Sequence, residues 1–149
     1  DVNSVVRHVC SSLELRYAQR GVAWRVEVER GCSVVADRFY LEGAVMAVVD
    51  NAIKYSGDNP VVEISAYTRS GYTYISIKDH GIGIPTGEHK RIFDKFYRIT
   101  TGDRYVTSGY GIGLYYVQSV VRRHGGSIAL DSAPGQGASF TLKFPRYGK

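Results

Sequence analysis

Cysteine is nearly absent from this chain: Cys10 and Cys32 are the only two in 149 residues. They lie in differently patterned segments and form no close metal-ligand pair. That disfavours a disulfide or zinc site against buried, reduced thiols, in keeping with a reducing cytoplasm. No apolar run approaches the ~20 residues that cross a bilayer, and no basic-then-apolar leader opens the chain, so a soluble piece without direct membrane contact is expected. A start at Asp1 in place of a methionine points to part of something longer. Clustered positive charge is missing too. The net charge is +5 with Lys and Arg scattered, which disfavours a nucleic-acid footprint but suits a polyphosphate ligand. Internal repeats and low-complexity tracts are lacking, as is the Gly-Lys-Ser/Thr ending of a P-loop. The composition, 44% hydrophobic and 22% charged, is ordinary for one globular domain over 1–149 with a real core.

The pattern along the chain predicts a mixed α/β order. Val2, Val5, Val6, Val9 and Leu13 recur at helical spacing behind a capping Asp1. Val22 to Glu29 alternates, with Val22, Trp24, Val26 and Val28 on one face, and a short Val34-Val35 strand is expected to pair with it antiparallel. Asp37 caps a second helix running to about Tyr55, whose face is Leu41, Ala44, Val45, Val48, Val49, Ala52 and Ile53. Val61 to Thr68 and Tyr72 to Asp79 alternate on either side of Ser70-Gly71, a hairpin signature. A short helix is expected from Thr86 to Phe93, and a polar, hydroxyl-rich lid from Thr100 to Ser108. A helix from Ile112 to Arg123 closes on Gly125-Gly126. Two strands, Ser127 to Asp131 and Ser139 to Phe144, then flank a Pro134-Gly135 turn.

Three of these segments carry chemistry. The run Lys78-Asp79-His80-Gly81-Ile82-Gly83-Ile84-Pro85 ends a strand on a carboxylate and follows it with two glycines. An ionised Asp79 only accepts hydrogen bonds, so a buried one selects a donor such as the exocyclic amino group of adenine over the carbonyl of guanine. Gly81 and Gly83 would let backbone approach a flat ring. The same octet also reads as an ordinary strand-ending turn. On the second helix Asn51 offers a hard oxygen for Mg²⁺ when a triphosphate supplies the other ligands, with Lys54 and Tyr55 one turn on; a solvated helix face is the alternative. Gly109, Gly111 and Gly113 precede a helix whose free N–H groups can meet phosphate oxygens. A dinucleotide fold competes for this glycine pattern, since Asp131 ends a strand about twenty residues later, but its loop must follow a buried strand, and Thr100 to Ser108 holds no apolar run. Phe93 and Phe96, taken alone, are core aromatics.

In their order, Asp50-Asn51-Ala52-Ile53-Lys54-Tyr55-Ser56, the Asp79 octet, Phe93-Asp94-Lys95-Phe96-Tyr97-Arg98, Gly109-Tyr110-Gly111-Ile112-Gly113-Leu114 and Gly135-Gln136-Gly137-Ala138-Ser139-Phe140 resemble the N, G1, F, G2 and G3 boxes of the catalytic, ATP-binding domain of sensor histidine kinases. The resemblance spans nearly the whole chain. It implies that Asn51 holds Mg²⁺, that Lys54 and Arg98 serve phosphoryl transfer at the phosphates, and that Asp79 reads adenine. By the same resemblance the ATP pocket further includes Tyr55, Gly81, Gly83, Ile84, Phe93, Phe96, Gly109, Tyr110, Gly111, Ile112, Gly113, Leu114 and Ser139. Two positions depart from the pattern. Ala47 stands one turn before Asn51, where relatives commonly carry a polar residue and ATP-hydrolysing superfamily members a Glu, which argues against hydrolysis as the main activity. Ala138 leaves Ser139 as the hydroxyl of the G3 box, on which any water-mediated base contact rests. Asp50 points about 100° away from Asn51 and is a poor substitute for a base at Ala47.

The implied fold is α/β, a two-layer sandwich of the Bergerat kind: a mixed, mostly antiparallel sheet covered on one face by about three helices, with an ATP lid. The implied activity is Mg·ATP-dependent transfer of the γ-phosphoryl group to a histidine on the protein's own dimerisation domain, then to a response-regulator receiver domain. That setting implies a homodimeric full-length protein, cytoplasmic or with this part on the cytoplasmic side of a membrane sensor. The acceptor histidine is not expected here: His8, His80, His89 and His124 read as structural. An ATPase clamp module and a non-enzymatic nucleotide sensor are the alternatives within the superfamily, and a serine-kinase regulator of sigma factors is a nearer variant.

Overall fold

The computed structural model describes residues 1–84, 86–93 and 113–146. Helix α1, Val2–Arg16, starts where the Asp1 side chain accepts the Asn3 N–H, and it buries Val2, Val5, Val6, Val9 and Leu13. Helix α2, Arg38–Lys54, is capped by Asp37, whose carboxylate accepts from Phe39 N at 2.9 Å and Tyr40 N at 3.5 Å. Its buried stripe is the one its periodicity predicts, Leu41 to Ile53, and it ends at Tyr55. Helix α3, Gly113–Arg123, packs Val117, Val120 and Val121 inward.

The sheet is five-stranded: β1 (Ala23–Val28), β2 (Val61–Arg69), β3 (Tyr72–Asp79), β4 (Ser127–Ser132) and β5 (Ala138–Pro145), in the spatial order β1-β2-β3-β5-β4. β2 and β3 form the expected hairpin, with Ser70 at φ 54° and Gly71 at φ 82°, both in the left-handed region that a two-residue turn of this twist requires. Three of the four strand pairs are antiparallel.

The exception corrects the expected Val34-Val35 strand and its antiparallel pairing. β1 runs parallel to β2, with Ala23 opposite Val61 and Val28 opposite Ala66, because α2 carries the chain back across the sheet between them. The Cys32 and Ser33 carbonyls are taken by Val2 N–H and the Thr73 hydroxyl, at 3.1 and 2.7 Å, so this stretch ties α1 and β3 down and makes no ladder. As an edge strand β1 leaves Val26 exposed, while Trp24 and Val28 pack on the core. The expected helix from Thr86 to Phe93 is instead two 3₁₀ turns, Thr86–Glu88 and Arg91–Phe93, in which Ile92 is the buried residue. One buried side chain gives too little apolar stripe to hold an α-helix. The lid expected from Thr100 to Ser108 lies outside the described residues.

The helices cover one face of the sheet. Facing them are Val62, Ile64 and Ala66 of β2, Thr73, Ile75, Ile77 and Asp79 of β3, and Ala138, Phe140, Leu142 and Phe144 of β5. The other face carries polar and aromatic side chains, among them Tyr67 and Tyr74 stacked at 5.1 Å. Both cysteines are free thiols; Cys32 is buried and Cys10 half-buried, where burial and then Glu14 push its thiol up to about 11.

Candidate functional site

Among the described residues Asp79 is the one buried carboxyl side chain, 6% exposed at the end of the inward-facing row Thr73, Ile75, Ile77. The period of two that puts Thr73, Ile75 and Ile77 into the core puts a carboxylate there as the fourth. Two backbone N–H groups hold it: Gly81 at 2.8 Å and Ala138 at 3.2 Å, both on Oδ1. Oδ2 makes no hydrogen bond to the described residues, which lets it accept from a ligand. Burial raises the carboxyl's pKa above the usual Asp value, against the lowering effect of those two N–H groups and of His80. A carboxylate kept in place against its desolvation cost is a mark of a binding or catalytic group.

The loop after Asp79 is fixed on two sides. Ile82 N–H donates to the Tyr55 carbonyl at the end of α2, at 3.3 Å, while Gly135 N–H and Gly137 N–H donate to the Ile82 and Gly81 carbonyls at 2.7 and 3.1 Å. A Cβ on Gly81 would stand 1.9 Å from the Tyr55 carbonyl oxygen, and one on Gly137, at φ +74°, would stand 2.2 Å from the Asp79 carbonyl. No other residue fits either place. Ser132 adds a clasp: its hydroxyl accepts Ile84 N–H at 2.8 Å and donates to the Gly137 carbonyl at 2.6 Å. So the segment from Asp50 to Ser56, the Asp79 octet and the Gly135 turn, far apart in sequence, meet at one end of the sheet.

Asn51, Lys54 and Tyr55 occupy the last turn of α2 beside this loop. The Lys54 ammonium lies 3.0 Å from Asp50, and Asn51 is half-buried. Ala47, one turn earlier, faces the first turn of α3: a Cβ on Gly113 would lie 3.9 Å from the Ala47 methyl. The position where a polar side chain is missing therefore looks toward the start of α3 at Gly113. Ile84, Phe93 and Leu114 pack on the core edge, Phe93 against Phe140 at 6.3 Å edge-to-face. Phe96, Arg98, Gly109, Tyr110, Gly111 and Ile112 lie outside the described residues.

Ser139 is a correction. It pairs with Lys78 across β3 and β5, and so stands on the sheet face opposite Asp79, whereas Ala138 stands beside Asp79 and gives it an N–H. Strand alternation was the signal that could have told the two apart. Ser132 and the backbone of Ala138 are site groups that sequence reasoning missed; neither side chain suggests a role without the tertiary contact. Each of the four histidines has a polar neighbour. His80 meets Glu63 at 2.5 Å, His89 the Ile84 carbonyl at 3.0 Å and His124 the Val120 carbonyl at 2.8 Å, while His8 lies 3.7 Å from Glu42.

Comparisons with known proteins agree with this geometry. The family model described as histidine kinase-, DNA gyrase B-, and HSP90-like ATPase matches residues 36–148. The sensor-like histidine kinase SenX3 of Mycolicibacterium smegmatis is 35% identical over 147 residues, covering 99% of this chain and 38% of its own length. Among solved structures, the mycobacterial sensor histidine kinase MprB superposes with a TM-score of 0.85 at 28% identity, covering 100% of this chain and 95% of that one. Full-length ShkA in complex with AMPPNP gives a TM-score of 0.83 at 25% identity, over 97% of this chain and 30% of that one. The chain thus spans well under half of its full-length relatives. It belongs to the histidine kinase-, DNA gyrase B-, and HSP90-like ATPase family, as an ATP-binding catalytic domain of the sensor histidine kinase type.

Proposed function

We propose that this chain binds Mg·ATP at the end of the sheet and donates the γ-phosphoryl group to a histidine on a separate helical dimerisation domain, in a homodimeric sensor that then phosphorylates a response-regulator receiver domain. The observation that carries the reading is the buried Asp79 carboxylate, held through Oδ1 with Oδ2 left over, under a loop too tight for any side chain at Gly81. An acceptor in that place discriminates for the amino group of adenine. Asn51 fits a Mg²⁺ ligand: its amide makes no hydrogen bond to the described residues, and no larger cluster of ionisable metal ligands is found among them. When bound, that ion neutralises phosphate charge. Lys54, at the end of the helix that carries Asn51, serves the same phosphates in this reading, as do Arg98 and the N–H groups entering α3. Tyr55, Gly83, Ile84, Phe93 and Leu114 line the approach.

Transfer forms an N–P bond on the acceptor imidazole and breaks the bond between γ-phosphorus and the bridging β-oxygen, releasing ADP. The acceptor imidazole attacks through its free nitrogen lone pair and then releases its ring proton to solvent, whereas water, a weaker nucleophile, needs a base to take its proton, and Ala47 offers none, which favours transfer over hydrolysis. No helix among the described residues is long and apolar enough to cross a membrane. Placement on the cytoplasmic side of a membrane-bound sensor, without a nucleic-acid partner, is part of the proposal.

The test is phosphotransfer in trans. With γ-labelled ATP and a supplied helical dimerisation domain, acid-labile label is expected on that domain's histidine and none on this chain alone. Steady ATP hydrolysis without an acceptor, or equal binding of ATP and GTP analogues, would overturn the reading.

A further inference from the structure

Beside the nucleotide site lies a charged cluster of which the proposed reaction uses only Lys54. Asp50 faces away from the core of α2, its side chain only 15% exposed, and its two oxygens have different partners. Oδ1 accepts the Tyr17 hydroxyl at 2.5 Å and lies 3.6 Å from the Arg16 guanidinium; Oδ2 meets the Lys54 ammonium at 3.0 Å. Tyr17 and Arg16 close α1, 33 residues earlier in the chain. Arg20, just beyond, stacks over the Tyr17 ring at 6.0 Å and donates to the Gly57 carbonyl, so the end of α1 and the turn after α2 are locked together. Burial, then the bond to Asp50, pushes the Tyr17 hydroxyl up to about 12, so it stays a donor across the neutral range.

Resting on the assignment of Lys54 to the phosphates, we propose that Asp50 is a positioning residue for Lys54, and that Tyr17 fixes Asp50, so that the docking of α1 sets where the Lys54 cation stands. A lysine carries its charge on a flexible four-carbon stem and loses rotamer freedom when it binds. The Asp50 pair, in the favourable acid-before-base order four residues apart, holds that stem in place before the phosphates arrive. The ammonium has three donors, so one can stay on Asp50 while the others serve phosphate oxygens. The arrangement also makes the last turn of α2 sensitive to a helix that touches no part of the nucleotide.

The test is a double-mutant cycle read by calorimetric titration. For Asp50→Asn, which keeps the shape and an acceptor for Tyr17, binding of a Mg·ATP analogue should weaken roughly three- to ten-fold while binding of adenosine stays unchanged. In a Lys54→Ala background the same change should have no further effect. Tyr17→Phe should give a smaller loss with the same dependence on Lys54, and it carries the test if Asp50→Asn melts below the working temperature. Equal losses for adenosine and the triphosphate, or losses that persist without Lys54, would show a structural role and overturn the inference alone. Failure of the unmodified chain to bind the Mg·ATP analogue would overturn the functional reading and this inference together.

Discussion

In the proposed function Asp79 sets binding against stability at the scale of one residue. Its folded-state pKa lies above the unfolded value, so burying the carboxylate costs stability at neutral pH, and that cost fades as pH falls through the folded pKa toward the unfolded one. Asp79→Asn keeps an oxygen for Gly81 N–H and Ala138 N–H but turns an amide donor toward the adenine amino group. We expect adenine-nucleotide binding to fall about ten- to hundred-fold, with nucleotide-free stability at pH 7 unchanged or higher. Any stability advantage of the variant should shrink between pH 7 and pH 4, which thermal melts of both proteins would show. Gly81 behaves oppositely. A Cβ 1.9 Å from a backbone carbonyl forces the loop or the end of α2 to move, so Gly81→Ala should cost about 3 kcal/mol or more in urea unfolding and weaken nucleotide binding as well.

Elements here are specified locally and aimed globally. The seven buried positions of α2 and its Asp37 cap are visible in the sequence because period and cap chemistry depend only on neighbours a turn away. Asp37→Ala should therefore remove about 1 kcal/mol, measured by urea unfolding, with the loss confined to stability while the fold persists. The hairpin of β2 and β3 was legible for the same reason, since Ser70-Gly71 supplies two left-handed residues in succession. β1 was legible as a strand but not as a parallel one. Its direction follows from α2 returning the chain across the sheet, and no residue inside β1 encodes that.

For the whole molecule, one core joins both layers: α1, α2 and α3 share a single buried cluster with β2, β3 and β5. Trp24, the lone tryptophan, packs at the edge of that cluster on β1. Unfolding should thus be one cooperative event, with Trp24 fluorescence and far-UV circular dichroism giving the same midpoint. An earlier fluorescence transition would mean that β1 separates from the core first. Ligand should move both signals together, since a nucleotide bound only to the folded state stabilises it by mass action.

The sequence by itself determined the three α-helices, the β2–β3 hairpin and the set of motifs, because amphipathic period, caps and turn residues act over a few positions. It also placed Asp79 in the core, as every second residue of β3 must be. Tertiary structure alone decided which groups meet across 30 or more residues: Ala138 N–H on Asp79, Ser132 clasping the loop, Tyr17 on Asp50. It also decided that Ser139 faces away. These depend on strand register and helix docking, which arise from the sum of all contacts and leave no mark on any single segment.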